Sequence, residues 1–94
     1  MDVEYEWDPA KALANLRRHR VSFEEARTAF GDPLGLIIDD AGHSFDEPRH
    51  ALLALSARHR LVSVQYTERG RAVRIITARR ATAAERRDYE ETAR

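Results

Sequence analysis

Ninety-four residues supply enough chain for one hydrophobic core but not two, so a single domain over residues 1–94 is expected. Hydrophobic residues make up 43% and charged residues 34%, a balance that sets aside a disordered chain. There is no cysteine, which excludes a disulfide framework or a Cys-ligated zinc site and suits a reducing compartment. No apolar run reaches the length of a membrane span, and Met-Asp-Val-Glu does not begin as a signal peptide does. A cytoplasmic protein that does not enter a membrane is the expectation.

Val3-Glu-Tyr-Glu-Trp7 alternates apolar and polar residues, as a short strand does. Asp8-Pro9 then starts a helix, with Asp as N-cap and Pro at the first helical position. Leu13 and Leu16, helped by Ala10 and Ala12, form the predicted buried side of this helix, which runs to about His19. Lys11, Asn15 and His19 follow one another at intervals of four and share another stripe. Ser22-Phe-Glu-Glu25 reads as a capping box for a second helix, which turns Phe23, Ala26 and Phe30 inward and stops at Gly31-Asp32-Pro33.

Leu34-Gly-Leu-Ile-Ile38 has strand length and Asp39–Pro48 the composition of a loop. His50–Ala57 reads as a strand that ends in a tight turn near Arg58-His59. The runs Leu61–Tyr66 and Arg71–Arg79 form a hairpin. Turning Val62, Val64, Tyr66, Val73 and Ile75 inward calls for pairing Tyr66 with Arg71 across a four-residue loop, Thr67–Gly70. Ser63, Gln65, Arg74 and Arg80 then share the opposite, polar face. Thr82-Ala-Ala-Glu85 is a second capping box, and the helix it starts has one large apolar side chain, Tyr89. The predicted fold is α+β: two N-terminal helices packed on one face of an antiparallel sheet of about four strands, followed by a C-terminal helix.

The net charge is zero but unevenly spread, with −5 over residues 1–50 and +5 over residues 51–94. Between Arg58 and Arg80 stand seven arginines (58, 60, 69, 71, 74, 79, 80) against one acid, Glu68. Guanidinium groups bind phosphate or carboxylate in bidentate fashion and stack on bases, so this hairpin suits nucleic acid or an acidic partner.

Asp39-Asp40-x-x-His43 and Asp46-Glu47 hold hard ligands, but their spacing matches no zinc or EF-hand pattern, and no metal or other cofactor is expected. There is no cysteine nucleophile, no Gly-x-Ser-x-Gly and no Gly-rich phosphate loop. Cleavage of RNA without a metal remains, because the 2′-hydroxyl can be the nucleophile and the protein supplies a base, an acid and positive charge. His19, His50, His59 and Glu68 are the residues suited to moving protons, and Arg69, Arg74, Arg79 and Arg80 to holding a phosphate.

Six segments in register resemble the BrnT family of type II toxins: Glu6-Trp-Asp-Pro-Ala-Lys11, Asn15-Leu-Arg-Arg-His19, Val21-Ser-Phe-Glu-Glu-Ala26, Phe30-Gly-Asp-Pro33, Thr67-Glu-Arg-Gly70 and Arg74-Ile-Ile-Thr-Ala-Arg-Arg80, followed by Glu85 and Tyr89. The resemblance implies a RelE-like fold and an endoribonuclease that cleaves RNA and inhibits translation. It also implies a BrnA-like antitoxin, which neutralises the toxin and carries the DNA-binding segment for their operator. Carried over by position, His19, Glu68, Arg69, Arg74, Arg79 and Arg80 become catalytic candidates. Lys11, Asn15 and Arg49 become RNA-binding candidates. The family usually has Gly where Arg20 stands, often His at Tyr66, and Ser at Thr77. Two other readings compete with this one: a non-catalytic module whose arginine sheet docks an acidic partner, and a DNA-binding regulator in its own right.

Overall fold

The computed structural model describes residues 3–40 and 48–93. In chain order these form β1 (Glu4–Glu6), α1 (Pro9–His19), α2 (Phe23–Ala29), β2 (Leu36–Asp40), β3 (Arg49–Leu55), β4 (Leu61–Arg69), β5 (Ala72–Arg80) and α3 (Ala83–Thr92). The sheet has five strands in the order β1-β5-β4-β3-β2, one more than expected, and it is mixed rather than antiparallel. β1 runs parallel to β5 and pairs with it only from Glu4↔Ala72 to Glu6↔Arg74. The alternation over Val3–Trp7 reveals a strand but not which way it pairs, so it does not give its place in the sheet.

Asp8 caps α1 as its sequence requires: its Oδ1 accepts from the Ala10 amide at 2.9 Å, and Pro9 occupies the first turn. The helix ends on Arg20, which adopts the left-handed conformation (φ 59°) at a cost of about 1 kcal/mol relative to glycine. The predicted facing of α1 is met only at Ala12, which packs against the core, and fails at the two leucines. Leu13 and Leu16 are 50% and 41% exposed, whereas Asn15 is buried.

The cause is the short reach of β1, which leaves the backbone of β5 at Ala78 without a strand beside it. The Asn15 carboxamide takes that place, donating through Nδ2 to the Ala78 carbonyl at 2.8 Å and accepting from the Ala78 amide at 3.1 Å. Nδ2 also donates to the Val21 carbonyl at 2.9 Å. An unmet buried backbone group costs about 1–3 kcal/mol, and here there are two, so they outweigh the partial burial forgone at two leucines.

Ser22 caps α2 by accepting from the Glu25 amide at 2.9 Å, but the reciprocal half of that capping box does not form. The Glu25 side chain is instead buried among Ser56 Oγ (2.7 Å), Arg60 Nε (2.9 Å) and Arg60 Nη2. Arg60 also donates to the carbonyl of Arg20 at 2.9 Å. One buried carboxylate thus ties the end of α1, the start of α2 and the β3–β4 turn together. That turn forms at Arg58-His59 as expected, with His59 left-handed.

α2 lays Phe23, Ala26 and Ala29 on Leu52, Ala54, Val62, Val64, Tyr66, Ile75 and Ala78. Tyr5, Phe30 and Tyr66 continue this core in successive ring contacts of 5.1 Å each. On the opposite face a smaller cluster of Leu53, Leu61 and Tyr89 seats α3. The Tyr89 hydroxyl donates to Asp32 Oδ2 at 2.6 Å. Burial and that bond to the carboxylate push the phenol up to about 12. Burial also pushes the Asp32 carboxyl up, but hydrogen bonds from Tyr89 and from the Leu55 and Leu34 amides outweigh it and hold it below its ordinary value.

The β4–β5 hairpin also departs from expectation. Its turn is the pair Gly70-Arg71, with Gly70 at φ 59°, and Arg69 pairs with Ala72 rather than Tyr66 with Arg71. A β-bulge makes this register compatible with the hydrophobic pattern: Tyr66 lies opposite Ile75 but Gln65 opposite Thr77, so Ile76 is an extra residue. Tyr66, Ile75, Val64, Ala78, Val62 and Arg80 therefore lie on the core face. Thr67, Arg74, Gln65, Thr77, Ser63 and Arg79 lie on the other. The expected grouping of Arg74 with Arg80 is wrong, because the bulge moves Arg79, not Arg80, onto the face of Arg74.

Asn15→Ala should cost about 2–5 kcal/mol in urea unfolding, since it leaves Ala78 and Val21 without partners; a loss below about 1 kcal/mol would show that α1 is held by other contacts. The Glu25 carboxyl is held low chiefly by Arg60, against burial and with help from Ser56. Its stabilisation is therefore complete above the unfolded-state pKa and is lost as pH falls through the lower folded value. Glu25→Gln should be less stable at pH 7 and lose less stability between pH 5 and pH 3 than the parent, which urea midpoints at the two pH values will show. An equal acid slope in both proteins would refute this assignment.

Candidate active site

Cross-strand pairing arranges the face away from α2 in parallel rows. One row runs Arg49, Thr67, Arg74 and Glu6; the next runs Ala51, Gln65 and Thr77; a third runs Leu53, Ser63 and Arg79. α3 covers the Leu53 end through Tyr89. The polar ends of these rows form a surface of three guanidinium groups around short hydroxyl and amide side chains. Arg74 and Arg79 side chains are 30% and 37% exposed, so each is steadied by the fold yet reachable from solvent.

Both of these arginines already hold a carboxylate. Arg74 Nη1 donates to Glu6 Oε2 at 2.8 Å. Arg79 grips Glu85 with both Nη groups, at 2.8 and 3.0 Å. Glu85 sits where it does because the capping box at the start of α3 fixes it: Oε1 also accepts from the Thr82 amide at 2.8 Å, and Thr82 Oγ1 accepts from the Glu85 amide at 3.1 Å. The Arg79 bond lowers the Glu85 carboxyl below its ordinary value, and the same pair raises the guanidinium.

Beside Thr77 the bulge opens a groove of about 250 Å³ between β5 and α1, lined by Lys11, Ala14, Asn15, Arg18, His19, Ile76 and Thr77. Thr77 belongs to both surfaces, since it also donates to Gln65 Oε1 at 2.5 Å. The groove and the arginine rows are therefore continuous across β5. Two cations and an imidazole from α1 come to the edge of the sheet face that carries Arg49, Arg74 and Arg79.

Of the residues singled out in the sequence, Arg49, Arg74 and Arg79 meet on the open face, and Lys11, Asn15 and His19 meet in the adjoining groove. The Asn15 carboxamide is spent on Ala78 and Val21, so its part is to hold the groove wall. Arg69 lies at the hairpin tip. Glu68 faces the core side at that end, 64% exposed, with His50 Nε2 3.7 Å away. Arg80 stands on the core side, exposed, opposite Val62. Tyr66 is buried between Phe30 and the His50 ring, which is 5.2 Å away.

The sequence reading missed Arg18, Thr77 and Glu85 as parts of this surface. Arg18 could have been found, being seven residues beyond Lys11 and thus on its stripe. Thr77 could not, because its position depends on the bulge. Asp39-Asp40-x-x-His43 and Asp46-Glu47 fall largely in residues 41–47, outside the described residues. Among the described residues no three His, Asp or Glu side chains gather as a metal site.

The family model for the ribonuclease toxin BrnT of type II toxin–antitoxin systems matches residues 7–85. The chain belongs to that family. Its fold is similar to that of the Brucella abortus ribonuclease toxin BrnT, known from a 1.1 Å crystal structure, with a TM-score of 0.66 at 17% sequence identity over 86% of this chain and 99% of that one. No curated protein sequence matches the chain. The matched span runs from Trp7 to Glu85 and so takes in the groove, the arginine rows and the Arg79–Glu85 pair.

Glu85→Gln should destabilise the protein by about 1 kcal/mol in thermal or urea unfolding, since it weakens a half-exposed bidentate pair and the cap together. The effect should shrink by more than half when Arg79→Ala is already present. Strict additivity of the two substitutions would mean that the pair contributes nothing.

Proposed function

We propose that the chain is a metal-independent endoribonuclease toxin that acts on RNA through the open face of its sheet and the α1 groove. The observation that carries this reading is the continuity of the two surfaces at Thr77, which sets Lys11, Arg18 and His19 beside Arg49, Arg74 and Arg79. Such a surface can take a run of phosphates, with guanidinium forks fitted to their oxygens.

In the reaction, the 2′-oxygen attacks phosphorus and forms the 2′,3′-cyclic phosphate while the 5′-oxygen leaves. A base removes the 2′ proton and an acid returns one to the leaving oxygen. His19 is the group proposed for proton transfer from the groove. Arg74 and Arg79, with Arg49, stabilise charge as it accumulates on the pentacoordinate phosphorane. Lys11 and Arg18 hold the flanking strand. Glu68 and Arg69, at the hairpin tip, and Arg80, on the core side, lie away from Thr77 and are proposed to touch RNA further along.

The proposal extends to a RelE-like relationship of the fold, to arrest of translation, and to neutralisation by a BrnA-like antitoxin that brings operator DNA to the complex and covers the open face. A second reading has one observation in its favour. Arg74 and Arg79 already hold carboxylates, so the same face could be a non-catalytic dock for an acidic partner.

Cleavage of a labelled RNA in excess EDTA separates the two. The parent should cleave, with Arg74→Ala and Arg49→Ala each lowering kcat/KM by about 10²–10³ and His19→Ala by about 10²–10⁴, at unchanged melting temperature. Loss of cleavage on adding EDTA would refute metal independence. Full activity in all three variants would refute the site.

A further inference from the structure

Gln65 stands at the middle of the open face, between the row of Arg49 and Arg74 and the row of Arg79. Its carboxamide is gripped at both ends. Nε2 donates to Ser63 Oγ at 2.9 Å, and Oε1 accepts from Thr77 Oγ1 at 2.5 Å. Ser63 is buried at 2% exposure, so its hydroxyl is fixed by the sheet. A primary amide has two N–H groups and an oxygen with two lone pairs. Gln65 therefore keeps a donor and an acceptor side by side, held in one plane and half-buried rather than swinging in solvent.

A side chain placed to bind phosphate would not need this. An oriented donor–acceptor pair reads the edge of a base, and an amide does so most readily with adenine, accepting from the exocyclic amino group and donating to the neighbouring ring nitrogen. Neighbouring rows on one face are two residues apart, roughly 7 Å along the strand. One nucleotide can then set its phosphate on an arginine row while its base meets the row of Gln65.

We propose that Gln65 is the base-reading residue of this surface and selects adenine next to the cleaved bond. The proposal rests on the ribonuclease reading above and adds a specificity to it. Gln65→Glu is the informative change. Ser63 and Thr77 hydroxyls can both donate to a carboxylate, so the new group keeps its position but offers only acceptors. Two adjacent acceptors fit the N1–H and N2–H edge of guanine.

The test uses RNA oligomers that differ only in the base at one position of a single cleavable step. The parent should favour adenine over the other three bases by roughly tenfold or more in kcat/KM. Gln65→Glu should lose that preference and turn toward guanine, whatever its overall rate. Thr77→Val, which removes the hydroxyl that orients the amide, should flatten the preference to within about threefold without reversing it. Anisotropy with the matching 2′-O-methyl oligomers gives the same ratios from binding alone, so a chain that binds selectively but does not cleave would defeat the ribonuclease reading and leave base reading intact. A parent with no base preference in either assay, or a Gln65→Glu protein that still favours adenine, would overturn the proposal. So would a parent that favours cytosine, which also offers an amino group beside a ring nitrogen.

Discussion

The carboxamide of Asn15 completes a strand edge that no strand completes. β1 pairs with β5 over three positions and stops, and further along that edge the amide and carbonyl of Ala78 are both taken by one side chain from α1. The same amide holds the Val21 carbonyl, at the joint between α1 and α2. From this follow the facing of α1, the exposure of its leucines, and a helix standing beside the bulge rather than flat on the sheet. The groove lined by Lys11, Arg18 and His19 exists because the helix is held there.

The two faces of the sheet divide the work. The core face is apolar and closed by α2, with one buried carboxylate, Glu25, joining three elements through Arg60 and Ser56. The other face is held open and polar, and its charges are ordered by bonds made elsewhere: Arg74 by Glu6 from β1, Arg79 by Glu85 from α3. Guanidinium groups steadied in this way lose little freedom on meeting a phosphate, although the carboxylates must first give way. α3 is fastened at one end by Glu85 and at the other by Tyr89 on Asp32, so the cap of one helix and the display of one arginine are a single structure.

Much of this was legible in the residues. Asp8-Pro9 announced α1, Thr82 and Glu85 a complete capping box, and Arg58-His59 the turn between β3 and β4. What could not be read shares a physical origin in tertiary contacts. Leu13 and Leu16 looked like a buried stripe because helical periodicity does not record that a neighbouring strand lacks partners. Glu25 completed a capping-box pattern, but a half-buried arginine offers a carboxylate more than a helix amide does. The bulge at Ile76 is one residue long and leaves the alternation of Val73 and Ile75 intact, so the pattern fitted a four-residue loop equally well. That one residue decides whether Arg79 or Arg80 joins Arg74. The family segments contributed the list of site residues; the register decided which of them can act together.

The central claim is that RNA meets the rows of Arg49, Gln65, Thr77 and Arg79 together with the α1 groove. An amide-resolved NMR titration with a non-cleavable 2′-O-methyl oligoribonucleotide measures this most directly. The account predicts that the largest shifts fall on His19, Arg49, Gln65, Thr67, Arg74 and Thr77, with α2 unmoved. Shifts confined to α2 or to the outer edge at β2, with the Thr77 region silent, would contradict it.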